Sequence, residues 1–122
     1  MIPDPLEAEI QIQLVQYLAL AAPSRGFLFF SVPGEALGSA RTGAGIGRMV
    51  RLKKMGLRSG VADLVIIKEG CVFFLELKRR LGKQSANQLL FEADAIRAGA
   101  DYAVAHSFDE AVNILKSWQI IV

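Results

Sequence analysis

The sequence predicts an α/β fold: a central mixed β-sheet flanked by helices, in the order α, β, β-β hairpin, α, β, α. Three observations carry this reading. Two runs rich in Val, Ile, Leu and Phe, within Gly60 to Lys78, flank a polar break at Glu69-Gly70 and read as a β-hairpin. Apolar residues at helical spacing precede and follow that hairpin, and three of the segments open with capping-box patterns. The run Ala100 to Ala105 follows the hairpin through a helical crossover, which implies parallel pairing with the hairpin's second strand and a right-handed connection. Strands that alternate with helices in this way bury both faces of one sheet.

The elements follow in order. Asp4 is placed to cap the first helix, with Pro5 at its first position and Glu7 completing a capping box. That helix is expected to run to about Ala22, before Pro23, with Leu6, Ile10, Leu14, Leu18 and Ala21 as its core face. Glu9 lies at the border of this stripe, where a carboxylate can reach a site. Phe27 to Val32 reads as a buried strand closed by Pro33-Gly34. Gly34 to Gly60 is glycine-rich and basic, and reads as a loop with a short helix near Met49 to Met55. Ser85-Ala86-Asn87-Gln88 is a second capping box, opening a helix from Ala86 to Ala98 that stops at Gly99. Leu89, Leu90, Ala93, Ile96 and Arg97 suggest its buried stripe. Ser107-Phe108-Asp109-Glu110 opens a helix to about Ser117, and Gln119 to Val122 forms a short strand or an apolar tail. His106 reads as structural, and Cys71 and Trp118 as packing residues.

At 122 residues with 52% apolar content, the chain is expected to form one domain, residues 1–122, with a well-filled core and a hydrophobic surface suited to a dimer. No apolar run approaches the roughly 18 residues that span a membrane, so no membrane association is expected. The acidic start lacks a signal core, and a single Cys excludes an internal disulfide framework. A cytoplasmic, reducing setting fits both.

The net charge of +2 conceals an asymmetry. Between Ala36 and Lys83 stand Arg41, Arg48, Arg51, Lys53, Lys54, Arg58, Lys68, Lys78, Arg79, Arg80 and Lys83, against only Asp63, Glu69 and Glu76. Such a basic segment suits a polyanion, and arginines with exposed glycine amides suit phosphate contacts. Two phosphate motifs are absent. Gly43-Ala44-Gly45-Ile46-Gly47-Arg48 has Arg48 where a dinucleotide fingerprint needs its last glycine, and Gly82-Lys83-Gln84 lacks the remaining P-loop residues.

The hairpin itself holds the candidate chemistry. With Glu69-Gly70 as a two-residue turn, Lys68 faces Cys71 and Asp63 faces Glu76. Directly opposed residues share a face, with Cβ atoms about 4.5–5.5 Å apart. Lys78 lies two residues beyond Glu76 and points to the same face. Two carboxylates and one ammonium thus gather among apolar neighbours. An oxygen-rich pair of this kind suits Mg²⁺, which keeps several waters and takes substrate phosphate oxygens, and the Leu77 carbonyl is a further candidate ligand. Lys78 beside it suits orientation of a water or stabilisation of charge on phosphorus.

These residues resemble the VRR-NUC domains of the PD-(D/E)-x-K nuclease superfamily over nearly the whole chain. Glu9-Ile10-Gln11 is similar to that family's helix-one motif. Lys54-Met55-Gly56 with Ser59-Gly60-Val61-Ala62-Asp63-Leu64 is similar to its Gly-x-x-Asp segment, with Ala62 where the superfamily pattern has Pro. Glu76-Leu77-Lys78 matches its Glu-x-Lys, and Ser85-Ala86-Asn87-Gln88 its Ser-x-x-Gln. The resemblance implies a restriction-endonuclease-like fold and a Mg²⁺- or Mn²⁺-dependent endonuclease acting on DNA. It implies that Asp63 and Glu76 bind metal with the Leu77 carbonyl, that Glu9 supports the metal indirectly, that Lys78 assists the nucleophilic water and that Gln88 lies beside the site. It also implies a homodimer cutting branched DNA such as four-way junctions, in a bacterial or phage-infected cell. Two other readings stand beside it: a non-catalytic nucleic-acid-binding domain with a nuclease-like fold, and a small-molecule binding protein using the glycine-rich loop for a phosphate.

Overall fold

The computed structural model describes residues 6–32 and 43–122. Their elements are α1 (Glu7–Arg25), β1 (Phe27–Ser31), α2 (Gly43–Lys54), β2 (Leu64–Lys68), β3 (Cys71–Leu77), α3 (Ala86–Arg97), β4 (Asp101–Ala105) and α4 (Phe108–Ser117). The strands form one mixed sheet in the order β1-β2-β3-β4, antiparallel except for the parallel β3–β4 pair. The hairpin register is the expected one: Lys68 pairs with Cys71 and Leu64 with Leu75. Glu69 and Gly70 have φ of 51° and 78°, the two positive values of a type I′ turn, whose twist matches that of the flanking strands.

Alternation along the strands assigns the two faces. On one, Ile10, Leu14 and Leu18 of α1 and Ala111 and Leu115 of α4 close over Phe27, Leu64, Ile66, Phe73, Leu75, Leu77 and Ala105. Each large aliphatic side chain buried there contributes about 1.5–3 kcal/mol. On the other face, Phe91 and Ala95 of α3 pack on Ala62, Phe74 and Tyr102, with the Phe74 and Phe91 rings edge to face at 4.9 Å. No helix among the described residues is long and apolar enough to cross a membrane.

Several expectations need correction. Leu6 is the residue before α1, and Glu9 rather than Glu7 caps it, its Oε2 accepting from the Leu6 amide at 3.2 Å; Asp4 and Pro5 lie outside the described residues. Helix α1 also continues through Pro23 to Arg25, ending at Gly26 with φ 70°. A proline within the last turn removes one amide bond but leaves the Gly26 amide to close on the Ala22 carbonyl at 3.0 Å. Strand β1 is an edge strand rather than a buried one: Phe27 and Phe29 face the core, while Leu28 and Phe30 are exposed on the opposite face, because α3 packs over β4 at the far side of the sheet. Helix α2 is longer and begins earlier than predicted, taking in Gly45 and Gly47.

The predicted stripe of α3 is also wrong. Leu89, Leu90 and Ile96 are exposed, and Phe91 and Ala95 are buried. Gln88, Phe91 and Ala95 follow the i, i+3, i+7 spacing, so the face laid on the sheet carries Gln88 with it. After α4 the chain forms an apolar tail, not a strand, with Ile120 and Ile121 buried. Arg25 Nε and Lys68 Nζ hold it by donating to the carbonyls of Ile120 and Gln119, at 2.9 and 2.7 Å. Trp118 packs on Phe73, whereas Cys71, at the hairpin tip, is exposed.

Candidate active site

Asp63 stands immediately before β2, where two bonds hold it. Its carbonyl accepts from the Val32 amide at 3.0 Å, which extends the β1–β2 pairing, and its Oδ2 accepts from the Leu77 amide at 2.7 Å. The amide and carbonyl of one residue leave an extended strand on the same side. The Leu77 carbonyl therefore faces Asp63 as well.

Glu76 points to the α3 face, opposite to Leu75 and Leu77, and is only 2% exposed. Its Oε1 accepts from Gln88 Nε2 at 3.2 Å, and its Oε2 is buried with no hydrogen-bond partner among the described residues. Burial pushes its carboxyl up to about 9; the adjoining Asp63 carboxylate adds to the rise through its close approach and charge, Lys78 opposes it, and Glu7 adds a little. Glu76 thus holds its proton far above the ordinary carboxylate range. Tyr102 is raised too, by burial first and then by the charge of Glu76.

Gln88 reaches Glu76 because its amide has both a donor and an acceptor. Its Oε1 accepts from the Ser85 amide at 2.8 Å, and the Ser85 hydroxyl accepts from the Gln88 amide at 3.2 Å. The capping box therefore aims Nε2 at the carboxyl. Close approach of α3 to the strand depends on Gly60. A Cβ built there would lie 2.4 Å from the Asn87 carbonyl oxygen and 2.8 Å from the Gln88 amide nitrogen, and φ is +81°. These are backbone atoms and cannot turn aside. Gly60→Ala is expected to lower stability by about 2 kcal/mol or more, read by chemical denaturation.

The two acids of α1 differ in their surroundings. Glu9 is exposed and occupied with the Leu6 amide. Glu7 instead accepts from the Arg79 amide at 3.4 Å and acts electrostatically on Glu76. The signal was present in the sequence: Glu7 stands three residues before Ile10 and seven before Leu14, in line with the buried stripe. Lys78 leaves β3 with its amide bonded to the Ala105 carbonyl at 2.9 Å, and its ammonium lowers the Glu76 pKa.

Of the basic residues expected to meet DNA, Arg41 lies outside the described residues. Arg48, Arg51, Lys53 and Lys54 are exposed on α2, and Arg79, Arg80 and Lys83 are exposed after β3. Arg58 is exposed as well and paired: its guanidinium lies 2.6 Å from Asp94 Oδ2 and 5.3 Å from the centroid of the Phe91 ring. That contact holds the Asp94 carboxyl below its usual range.

Among the described residues, no three His, Cys, Asp or Glu side chains converge as a metal cluster. Asp63 and Glu76 do fit a hard divalent cation. Such an ion needs only one or two carboxylates and keeps several waters, and Glu76 Oε2 is a buried oxygen with no hydrogen-bond partner among the described residues.

A mixed sheet between helices, with two carboxylates and a lysine at the end of its hairpin, defines a restriction-endonuclease-like α/β fold. Two solved structures share it. One, described as a VRR_NUC domain, superposes with a TM-score of 0.57 and 24% identity, covering 91% of this chain and 94% of that one. The other, described as a VRR_NUC domain protein, gives a TM-score of 0.69 and 14% identity, covering 98% and 93%. The chain thus has the fold of VRR-NUC domains. No family model matches the sequence, and no curated protein matches it.

Proposed function

We propose that this chain is a Mg²⁺- or Mn²⁺-dependent endodeoxyribonuclease that acts on branched, four-way-junction-like DNA as a homodimer. The observation that supports it most is the buried Glu76 carboxyl, placed against Asp63 with one oxygen unsatisfied. Asp63, Glu76 and the Leu77 carbonyl would hold the ion, with Glu7 rather than Glu9 adding negative charge from α1. When bound, the ion supplies Lewis acidity and neutralises charge on the phosphate.

The chain's own residues supply the remainder. Gln88 donates to Glu76 and fixes the direction of its carboxylate. Lys78 offers a positive charge to the attacking water and to the oxygens of the phosphate as negative charge gathers there. Exposed arginines and lysines of α2 and of the segment after β3 hold the DNA backbone. Hydrolysis adds water across one P–O ester bond: the water oxygen bonds phosphorus, and the departing sugar oxygen takes up a proton.

The exposed apolar residues Leu28, Phe30, Leu89, Leu90 and Ile96 support a dimer. The test is incubation with labelled duplex, flap and four-way-junction DNA in Mg²⁺, Mn²⁺ or EDTA. Cleavage is expected on the branched substrate with either metal and not in EDTA. DNA binding that never leads to cleavage would replace this reading with a non-catalytic binding domain.

A further inference from the structure

The segment between β3 and α3, residues 78–85, carries Arg79, Arg80 and Lys83 beside the site. It has no ladder of its own, yet it is tied down at several points. Gly82 N donates to the Arg79 carbonyl at 2.8 Å, closing a tight turn in which a Cβ at Gly82 would lie 3.2 Å from that same oxygen. Gln84 Nε2 donates to Glu92 Oε1 at 3.0 Å and lies 3.3 Å from the Tyr102 hydroxyl. The outward side of the turn is held by one side chain from the end of β4: His106 Nε2 lies 3.2 Å from the Gly82 carbonyl oxygen.

A carbonyl only accepts, so the bond to Gly82 needs a proton on Nε2. The other ring nitrogen, Nδ1, lies 3.3 Å from Glu110 Oε1 on α4; an ionised carboxylate also only accepts, so the ring bonds both neighbours when both of its nitrogens carry protons. His106 is thus suspended between a rigid helix and the tip of the basic turn. We propose that His106 is a positioning residue, holding the Arg79–Lys83 turn in the shape that presents its basic side chains to DNA phosphates beside the site. The inference rests on the nuclease reading and deepens its DNA-binding part. A turn already held in its bound shape loses less conformational freedom when DNA arrives, so the tie acts on affinity rather than on the chemical step.

The experiment measures binding of a fluorescent four-way junction in EDTA across a salt series, and cleavage kinetics in Mg²⁺, for wild type, His106→Leu and His106→Gln. Leucine fills the space without donating; glutamine retains an N–H donor. His106→Leu is expected to raise Kd and KM about fivefold, with kcat within about twofold, and to flatten the slope of log K against log salt by about 1–2 as phosphate contacts are lost. His106→Gln is expected to recover most of the affinity and slope. Equal Kd and equal salt slope in all three proteins would overturn the proposal, as would a Leu variant that loses kcat while keeping KM. Should His106→Leu fail to fold, by circular dichroism, the decision passes to Gln against wild type and His106→Ala: Ala as tight as Gln overturns the proposal. A wild type that neither binds nor cuts junction DNA would overturn the nuclease reading itself, whereas one that does both while the variants match it overturns only the role of His106.

Discussion

On the proposed nuclease reading, Asp63→Asn, Glu76→Gln and Lys78→Ala are each expected to lower metal-dependent DNA cleavage by about 10²–10⁴-fold, the loss that follows when a charge acting in the transition state is removed. The three losses arise differently. Asp63→Asn removes one of two anionic oxygen donors but keeps a group able to accept from the Leu77 amide, so the end of the hairpin retains its shape. Glu76→Gln keeps the shape as well and removes the ionisable carboxyl. Lys78→Ala leaves both carboxylates in place and removes the positive charge next to them; DNA affinity should fall little, because the more distant basic residues remain. Single-turnover cleavage of a labelled junction measures all three. A wild-type rate in Asp63→Asn would move the chemistry away from this hairpin.

The metal-free protein is expected to lose stability steadily as the pH rises. The folded state raises the Glu76 carboxyl from 4.5 to about 9. Below about 4.5 the folded and unfolded chains are both protonated there, and the group is neutral to stability. Between the two values the unfolded chain has released a proton that the folded chain still holds, so each rise in pH favours unfolding, until the folded carboxyl ionises near 9. Glu76→Gln removes this liability because an amide has no charge to bury. At pH 8 without metal it is expected to be more stable than wild type by an amount on the order of 2 kcal/mol, a Tm higher by roughly 5–10 °C. At pH 5 the two proteins should melt within about 2 °C of each other. Mg²⁺ at about ten times its Kd should stabilise wild type by about 1.4 kcal/mol and the variant by much less. Thermal melts across pH, with and without metal, decide it; a gap that does not widen with pH would place the proton elsewhere.

Much of this was legible along the chain. The Glu69-Gly70 break and the strict period of two settled which residues of the hairpin face one another, and with them the meeting of Asp63 and Glu76. The capping box at Ser85 and the serine cap at Ser107 stood where the helices begin, because a hydroxyl and a backbone amide three residues on need nothing from the rest of the molecule; at Ser107 the reciprocal bond from Glu110 does not form, and that carboxylate lies beside His106. The glycine-rich segment was harder to read. Its glycine-rich, basic composition suggested a loop with a helix only near Met49 to Met55, yet the helix already begins at Gly43. On α3, counting the more hydrophobic residues selected Leu89, Leu90 and Ile96, when the sheet takes Phe91 and Ala95.

Hydrogen-bond patterns that close over two to four residues are encoded locally, so strand pairing, turn type and helix starts could be read from residue order. Which face of α3 meets the sheet, how the two acids of α1 are placed, and the pairing of Arg58 with Asp94 depend on elements far apart in the chain. Those choices follow from packing. Gly60 admits the first turn of α3 against the strand, the stripe from Ile10 to Leu18 turns Glu7 inward, and the Phe91 ring offers Arg58 a surface that no spacing of residues announces.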